Sequence, residues 1–128
     1  MRAAPSAAVL DWLDRQAAHT LFITSTSVGE LVCGIHLLPI GRRRSLLANA
    51  LTALLDELFG ERILGFDKAA ALAYGPLVAR ARSAGRQIAI ADAQIAAVAS
   101  VYGFSVATRD SSAFKAAGSR VIDPWLNA

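Results

Sequence analysis

Residues 88–110, IAIADAQIAAVASVYGFSVATRD, carry most of the information about the fold of this chain. A helical run of small apolar residues ends at Gly103, and a short apolar strand, FSVAT, follows at 104–108. Asp92 stands at the start of the helix, and Asp110 follows the strand directly. A short strand that is apolar on both sides and lies next to an apolar helix is typical of a parallel sheet covered by helices.

Short strands alternate with helices along the rest of the chain, and no hairpin turn joins two strands. Further strands are predicted at 21–24 (LFIT), 62–66 (RILGF) and 120–122 (RVI). Further helices are predicted after Ser6, at 28–38, at 46–58 and from the cap Asp67 to Ser83, with Gly85 as the stop. Gly75-Pro76 predicts a kink or a break in the last of these. Residues 1–128 are therefore expected to form one α/β domain.

Composition limits the classes of protein that this chain can represent. The apolar fraction is 55%, much of it alanine, which favours closely packed helices. No apolar run approaches the roughly 20 residues of a membrane span, and Asp11, Asp14 and Arg15 interrupt any secretory signal. The single cysteine, Cys33, permits no intrachain disulfide, so a cytoplasmic location is expected. The net charge of +3 permits contact with phosphate but does not require it.

Three of the ten acidic residues lack an ordinary structural explanation, and these are Glu30, Asp92 and Asp110. Glu30 is expected in the first turn of the helix after LFIT. The carboxyl ends of parallel strands, and the helix starts that follow them, line one edge where ligands bind. A single acid at a helix start stabilises that helix by about 0.3–1 kcal/mol and needs no other role. The three together, with small uncharged neighbours, predict a site.

Carboxylates at one edge of the sheet repel one another, and a divalent cation bound between them neutralises that repulsion. Oxygen ligands suit Mg²⁺ or Mn²⁺, whereas His19 and His36 are isolated and do not indicate zinc. An ion held by carboxylates can lower the pKa of a water and neutralise charge on a phosphodiester. Such chemistry needs no nucleophilic side chain, and the sequence indicates none.

Three stretches of the sequence resemble one known family. ITSTSVGEL (23–31), the segment 88–110 and VIDPW (121–125) are similar to the PIN-domain ribonucleases, especially the toxin subunits of bacterial toxin–antitoxin pairs of the VapC/FitB type. The similarity spans nearly the whole chain, although residues 42–83 resemble the family only in their general helical character. The resemblance implies a three-layer PIN-like fold with a short parallel sheet between helices.

The resemblance also implies a function. In that family four acids bind Mg²⁺ or Mn²⁺ and RNA is cleaved by water; Glu30, Asp92 and Asp110 match the second, third and fourth acids. Thr108 matches a hydroxyl position that supports the metal site. The family further implies a cytoplasmic homodimer, silenced by a small antitoxin that packs near the early helices and reaches the acidic site.

Four arginines are candidates for contact with RNA or antitoxin: Arg42, Arg43, Arg44 and Arg109. The first three open a helix, where positive charge is unfavourable. They suit RNA phosphates or acidic antitoxin residues, and a solvated surface explains them equally simply.

The N-terminus departs from the family pattern. Family members begin with a central strand and a DTN-like motif that carries the first acid, whereas this chain starts at a segment matching the residues after that motif. Losing the strand is expected to leave its neighbours unpaired along a buried line. Either the natural protein begins upstream of Met1, or the gene is truncated and its product inactive.

Three functions follow from these observations. The first is a metal-dependent endoribonuclease toxin, and the second is a catalytically inactive truncated PIN-domain protein that still binds an antitoxin or a second copy. The third is an unrelated small α/β binding module. The sequence holds no Gly-rich phosphate loop, so a nucleotide cofactor is not expected.

Overall fold

A computed structural model describes residues 11–12 and 15–124 of the chain. The helix predicted after Ser6 lies mostly outside these residues, although residues 11, 12 and 15 are helical. The end of the VIDPW motif, at Trp125, also lies outside them.

Short strands and helices alternate along the described residues, as the sequence predicts. The helices are α1 (Ser25–His36), α2 (Arg42–Ala53), which continues as a π-helix over Leu54–Phe59, α3 (Lys68–Ser83), α4 (Ile90–Tyr102) and α5 (Ser111–Ala116). The strands are β1 (Ile23–Thr24), β2 (Ile63–Leu64), β3 (Val106–Ala107) and β4 (Val121–Ile122), and a 3₁₀ turn spans Ala18–Thr20.

The strands form two separate parallel pairs in the described part of the chain. In the β1–β2 pair Ile23 lies opposite Ile63, and in the β3–β4 pair Val106 lies opposite Val121. The predicted α/β architecture with parallel strands is confirmed. Each strand has only two residues, shorter than predicted. No ladder joins β1 to β3 among the described residues.

Helix α1 begins three residues earlier than the sequence predicts. Thr24 has an extended backbone, and its Oγ1 accepts a hydrogen bond of 3.0 Å from the Ser27 N–H. This hydroxyl satisfies a free amide of the first turn directly at the strand end, so the helix begins at Ser25. Consequently Glu30 lies in the second turn of α1, and its expected place in the first turn is wrong.

Helix α3 passes through Pro76 without a break, so of the predicted kink or break the break does not occur. The residue whose carbonyl loses its partner to the proline ring is Leu72, which is 69% exposed. Water can therefore satisfy the lost hydrogen bond. The predicted limits of α3 are confirmed: the Asp67 carboxylate accepts from the Ala70 N–H at 3.0 Å, and Gly85 takes a positive φ of 76°.

The core of the molecule lies where α3 packs on α4. The fully buried side chains at this contact are mostly methyl groups, on Ala70 and Ala81 of α3 and on Ala93, Ala96 and Ala97 of α4. Small side chains let two helix backbones approach closely, as the high alanine content predicts. Val106 and Phe114 extend this core toward β3 and α5.

Enlarging a side chain at this contact tests its tightness. We expect Ala96→Leu to lower the free energy of unfolding by about 1–3 kcal/mol, because the close-packed contact has no room for the added carbons. Urea denaturation measures the change. Ala79→Leu, on the exposed side of α3, is the matched control and should change stability by less than about 0.5 kcal/mol. Equal effects of both changes would contradict a close-packed helix contact.

Candidate functional site

Asp92 and Asp110 come together at the carboxyl edge of the strands. Asp92 is the third residue of α4 and is half-buried, whereas Asp110 is exposed and immediately precedes α5. Burial raises the pKa of Asp92 above its ordinary value of 3.8, and the negative charge of Asp110 raises it further. The structure therefore brings together two of the three acids that the sequence singled out.

The position of Asp110 depends on Thr108. The Thr108 N–H donates to the Ile122 carbonyl at 3.0 Å, which ties this residue to β4. Its Oγ1 in turn accepts a hydrogen bond of 3.2 Å from the Asp110 N–H. Asp110 occupies the capping position of α5, but its carboxylate makes no capping hydrogen bond. The Asp110 carboxylate is therefore not engaged in capping α5, and capping does not explain why an acid occupies this position.

Glu30 is exposed and does not join the two aspartates. In residues 11–12 and 15–124, no three His, Cys, Asp or Glu side chains form a group that could hold a metal ion. Glu30 lies one turn after Thr26, whose Oγ1 donates to the Gln94 Oε1 at 3.1 Å. Because residues four apart share a helix face, Glu30 lies on the face of α1 that meets the start of α4.

Sequence reasoning missed Gln94. It ties the first turn of α1 to the first turn of α4 through Thr26, and so determines how Glu30 and Asp92 are placed relative to each other. A signal was present, since Gln94 is the single polar side chain between Asp92 and Ser100 in an otherwise apolar helix.

The arginines fall into two groups. Arg109 is exposed at the acidic edge, between Thr108 and Asp110. Arg86, which sequence reasoning also missed, lies near the same edge because its guanidinium donates to the Ser112 hydroxyl in the first turn of α5. The other three candidate arginines, at 42–44, open α2 on a different element, where Gly41 supplies no side-chain cap.

The donor chemistry of the aspartate pair suits a hard divalent cation. Two neighbouring carboxylates, one of them disfavoured as an anion by partial burial, gain from a positive ion between them. The Thr108 hydroxyl, directly after β3, accepts a hydrogen bond from the backbone N–H of Asp110. Glu30 would have to move closer to Asp92 and Asp110 for a third carboxylate to contribute to cation binding.

Comparison with known proteins assigns the chain to a family. Residues 3–119 match the family described as PIN domain. This chain belongs to the PIN domain family. Its α/β architecture with short parallel strands is accordingly a PIN fold.

Curated relatives match almost the full length of the PIN chain. The chain is 47% identical to the plasmid stability protein StbB of Pseudomonas syringae pv. tomato. It is 42% identical to the VapC ribonuclease Y4jK of Sinorhizobium fredii. Each of these matches covers 97% of this chain and 89% of the relative. It is 36% identical to the toxin FitB of Neisseria gonorrhoeae, covering 98% of this chain and 90% of FitB. The resemblance to the VapC and FitB proteins is confirmed.

Two solved structures share the fold closely. FitAB bound to an IR36 DNA fragment superposes with a TM-score of 0.88 at 35% identity, covering 97% of this chain and 87% of that one. FitAcB from Neisseria gonorrhoeae superposes with a TM-score of 0.88 at 36% identity, covering 97% and 89%. In the part of the PIN chain that the structure describes, no helix combines the length and apolar character needed to cross a membrane.

The raised pKa of Asp92 predicts a pH-dependent stability. Since its pKa in the folded protein lies above 3.8, the protonated form favours folding; that contribution is complete below 3.8 and is lost as pH rises through the folded-state pKa. When a chelator removes divalent ions from the solution, the Asp92→Asn variant should therefore have a higher free energy of unfolding than the parent chain at pH 7. We expect a gain below about 1 kcal/mol, because solvent screens the half-exposed group.

Thermal unfolding between pH 3 and pH 8 measures this difference, which should shrink as the pH falls. In an Asp110→Asn background the gain from Asp92→Asn should be smaller, since one cause of the raised pKa is removed. A loss of stability at pH 7 in Asp92→Asn would contradict the assignment.

Proposed function

We propose that this PIN-domain chain is a Mg²⁺- or Mn²⁺-dependent endoribonuclease toxin that hydrolyses RNA phosphodiester bonds and is inhibited by a cognate antitoxin. The observation that carries the proposal is the proximity of Asp92 and Asp110 at the carboxyl edge of the strands, with the pKa of Asp92 raised. The VapC ribonuclease and FitB toxin among its relatives support the same function.

Each polar group at this edge has a role in the proposal. Asp92 and Asp110 would hold the ion, with Glu30 reaching toward it from α1. A bound Mg²⁺ or Mn²⁺ supplies water activation and neutralises charge at the scissile phosphate. Thr108 orients the backbone of Asp110, and the Thr26–Gln94 hydrogen bond positions α1 against α4.

Positive charge beside the acids suits a polyanionic substrate. Arg109 and Arg86 lie near the aspartate pair, Arg86 through its hydrogen bond to Ser112. Guanidinium groups match phosphate geometry with paired donors, so these two residues would orient RNA at the edge. The net charge of +3 adds a weak general attraction.

A second candidate is a catalytically inactive PIN protein that still binds an antitoxin or a second copy. The observation that favours it is the absence, in the described residues, of a group of three acids able to hold a metal. Two carboxylates bind a divalent ion more weakly than three or four. Measured cleavage separates the two candidates.

RNA cleavage in Mn²⁺ or Mg²⁺ is the direct test of the enzyme. We expect Asp92→Asn to lower the cleavage rate by at least about 100-fold, because charge stabilisation at the phosphate is lost. Asp56→Asn is the matched control, since Asp56 is exposed on the π-helical end of α2, and it should retain the parent rate. Metal-dependent cleavage that survives in Asp92→Asn would contradict this site. Absence of cleavage by the parent chain would favour the inactive binding protein.

The turn between α1 and α2 is the proposed antitoxin surface. Leu37 and Ile40 are 81% and 91% exposed there, and Leu46 on α2 is 56% exposed. Exposed apolar side chains gathered beside the basic run 42–44 suit a partner that is apolar on one face and acidic on the other. The resemblance to the VapC/FitB toxins supports an antitoxin partner, and we propose that it binds near these early helices.

An amphipathic helical peptide with Leu on one face and Glu on the other serves as a stand-in for the antitoxin. We expect Ile40→Asp to weaken its binding at least 10-fold, because the change removes apolar contact and adds repulsion. Leu72→Asp, at another exposed apolar position on α3, should leave binding unchanged. Fluorescence anisotropy measures both affinities. Equal losses in the two variants would contradict a surface at the α1–α2 turn.

We further propose a cytoplasmic location and a homodimer. Both rest on the family resemblance. Sedimentation equilibrium of the purified chain measures the oligomeric state.

A further inference from the structure

A cleft of about 450 Å³ opens at the amino ends of β3 and β4. It is bordered by α3, by the end of α4 and by the segments that lead into the two strands. Phe104 and Arg120 line it just before these strands begin, whereas Asp110 follows the end of β3. Because β3 and β4 run in the same direction, the cleft and the paired acids lie at opposite edges of this strand pair. The cleft is therefore separate from the candidate metal site.

The charged side chains of this cleft have one sign. Arg80 of α3 and Arg120 line it, and none of the described residues that line it is acidic. A cleft lined by charges of one sign concentrates ions of the opposite sign. Both arginines are exposed, so a ligand can reach them from solvent. The cleft is accordingly suited to an anion.

The position of Arg80 depends on Gly118, two residues after α5. Gly118 has a φ of 93°, a backbone conformation that favours glycine. A Cβ atom at this position would come within 2.6 Å of Arg80 Nη1 and within 2.8 Å of Arg80 Cζ. The guanidinium therefore lies directly against Gly118, in space that the side chain of another residue would fill. In the described part of the chain the Arg80 side chain donates no hydrogen bond and forms no ion pair, so its donors are available to a ligand.

Arg120 is held at the cleft by a hydrogen bond. Its guanidinium donates to the carbonyl of Gly103, the residue that ends α4 in the left-handed region. This contact uses one N–H of the guanidinium and leaves the others for a ligand. The two arginines thus reach one cleft from different elements, Arg80 from α3 and Arg120 from the segment before β4.

The remainder of the cleft is largely apolar and much larger than a phosphate ion. A ligand that fills about 450 Å³ has an organic body as well as a negative charge. Small side chains on α3 and α4 leave room for a flat ring between the two helices. The apolar lining residues are Ala73, Pro76, Leu77, Ala99, Phe104 and Ala117.

Two serine hydroxyls lie among these apolar groups, on Ser100 and Ser119. The Ser100 hydroxyl donates to the Ala97 carbonyl at 2.8 Å, so its oxygen remains a hydrogen-bond acceptor. The hydroxyl groups of a sugar are donors of the kind that this oxygen accepts. The cleft accordingly combines cationic, hydroxyl and apolar surfaces.

We propose that this cleft binds a nucleoside monophosphate unit, with its phosphate at Arg80 and Arg120 and its base in the apolar part. Guanidinium groups match phosphate oxygens with paired donors. The unit has two sources with the same chemistry, a free mononucleotide and the phosphorylated end of an RNA. Because the cleft lies at the edge opposite Asp92 and Asp110, the proposal depends on neither bound metal nor RNA cleavage.

Calorimetric titration with adenosine 5′-monophosphate tests the cleft. EDTA is present, so that no divalent ion can hold the phosphate at Asp92 and Asp110. We expect saturable binding that Arg80→Gln weakens at least 10-fold, because paired charged hydrogen bonds to the phosphate are lost. Arg82→Gln is the matched control, since Arg82 is exposed on α3 but does not line the cleft, and it should keep the parent affinity. No saturable binding by the parent chain, or equal affinity of the Arg80→Gln and parent chains, would overturn the proposal.

Further variants separate ligand binding from folding. Arg120→Gln should also weaken binding at least 10-fold, with its folding checked by circular dichroism because the hydrogen bond to Gly103 is lost. If this variant does not fold, Arg80→Lys decides the question: lysine keeps the charge without the paired donors, so its affinity should lie between those of the parent and Arg80→Gln. A lower unfolding temperature of Arg80→Gln with unchanged affinity would assign Arg80 to the end of α5 and refute the site.

The ligand class is tested with parts of the nucleotide. Adenosine and inorganic phosphate should each bind at least 10-fold more weakly than adenosine 5′-monophosphate, because each occupies only part of the cleft. Inorganic phosphate that binds as tightly as the nucleotide would rule out the nucleoside part of the proposal.

A 5′-phosphorylated RNA trinucleotide distinguishes the two sources, again in EDTA. Binding at least as tight as that of adenosine 5′-monophosphate supports the end of an RNA as the ligand. Binding at least 10-fold weaker supports a free mononucleotide. The site itself stands in both cases, and the Asp92→Asn cleavage assay tests the ribonuclease function separately.

Discussion

The close contact of α3 with α4 is the interaction on which the rest of the described structure depends. Among residues 11–12 and 15–124 no ladder joins the two strand pairs, so direct backbone hydrogen bonds do not hold β1 at a defined distance from β3. Helix α4 contacts both α1, which follows β1, and α3, which follows β2. Its buried alanines keep these elements close, and Val106 of β3 packs into the same core.

This arrangement explains how a largely buried helix presents the carboxylate of Asp92 at the carboxyl edge of the strands. The apolar residues of α4 between Ala93 and Ala99 are buried or half-buried, whereas its first turn emerges at the carboxyl edge. Asp92 is there partly desolvated and lies beside a second negative charge. The helix start offsets some of that cost, since its positive dipole end favours an acid. A bound cation would offset the remaining cost of the two neighbouring negative charges more effectively than the helix dipole does.

Hydroxyl and amide side chains determine the geometry around this edge. Thr24 decides where α1 begins, Thr26 and Gln94 join α1 to α4, and Thr108 holds the backbone of Asp110. Each of these hydrogen bonds is local to a helix start or a strand end. The TM-score of 0.88 with the FitAB and FitAcB structures, at 35% and 36% identity, shows that the overall fold tolerates wide change in sequence.

The sequence by itself determined the α/β class, the order of strands and helices, the parallel strand direction and the pairing of Asp92 with Asp110. These follow from the period of apolar residues and from the rule that parallel strands end at one edge. The start of α1 was less well predicted, because a single hydroxyl at Thr24 caps the helix three residues earlier. The break predicted at Pro76 does not occur, and the exposure of Leu72 leaves its carbonyl side open to water.

Only the tertiary structure decided how the acids and the strand pairs are placed. Glu30 stays apart from Asp92 and Asp110, because its position depends on how α1 packs against α4 rather than on its distance along the chain. The spacing of β1 and β3 likewise depends on helix packing, because no ladder joins these strands in the described part of the chain. Sequence patterns specify which residues face inward, whereas the distance between packed elements is set by the side chains of both partners.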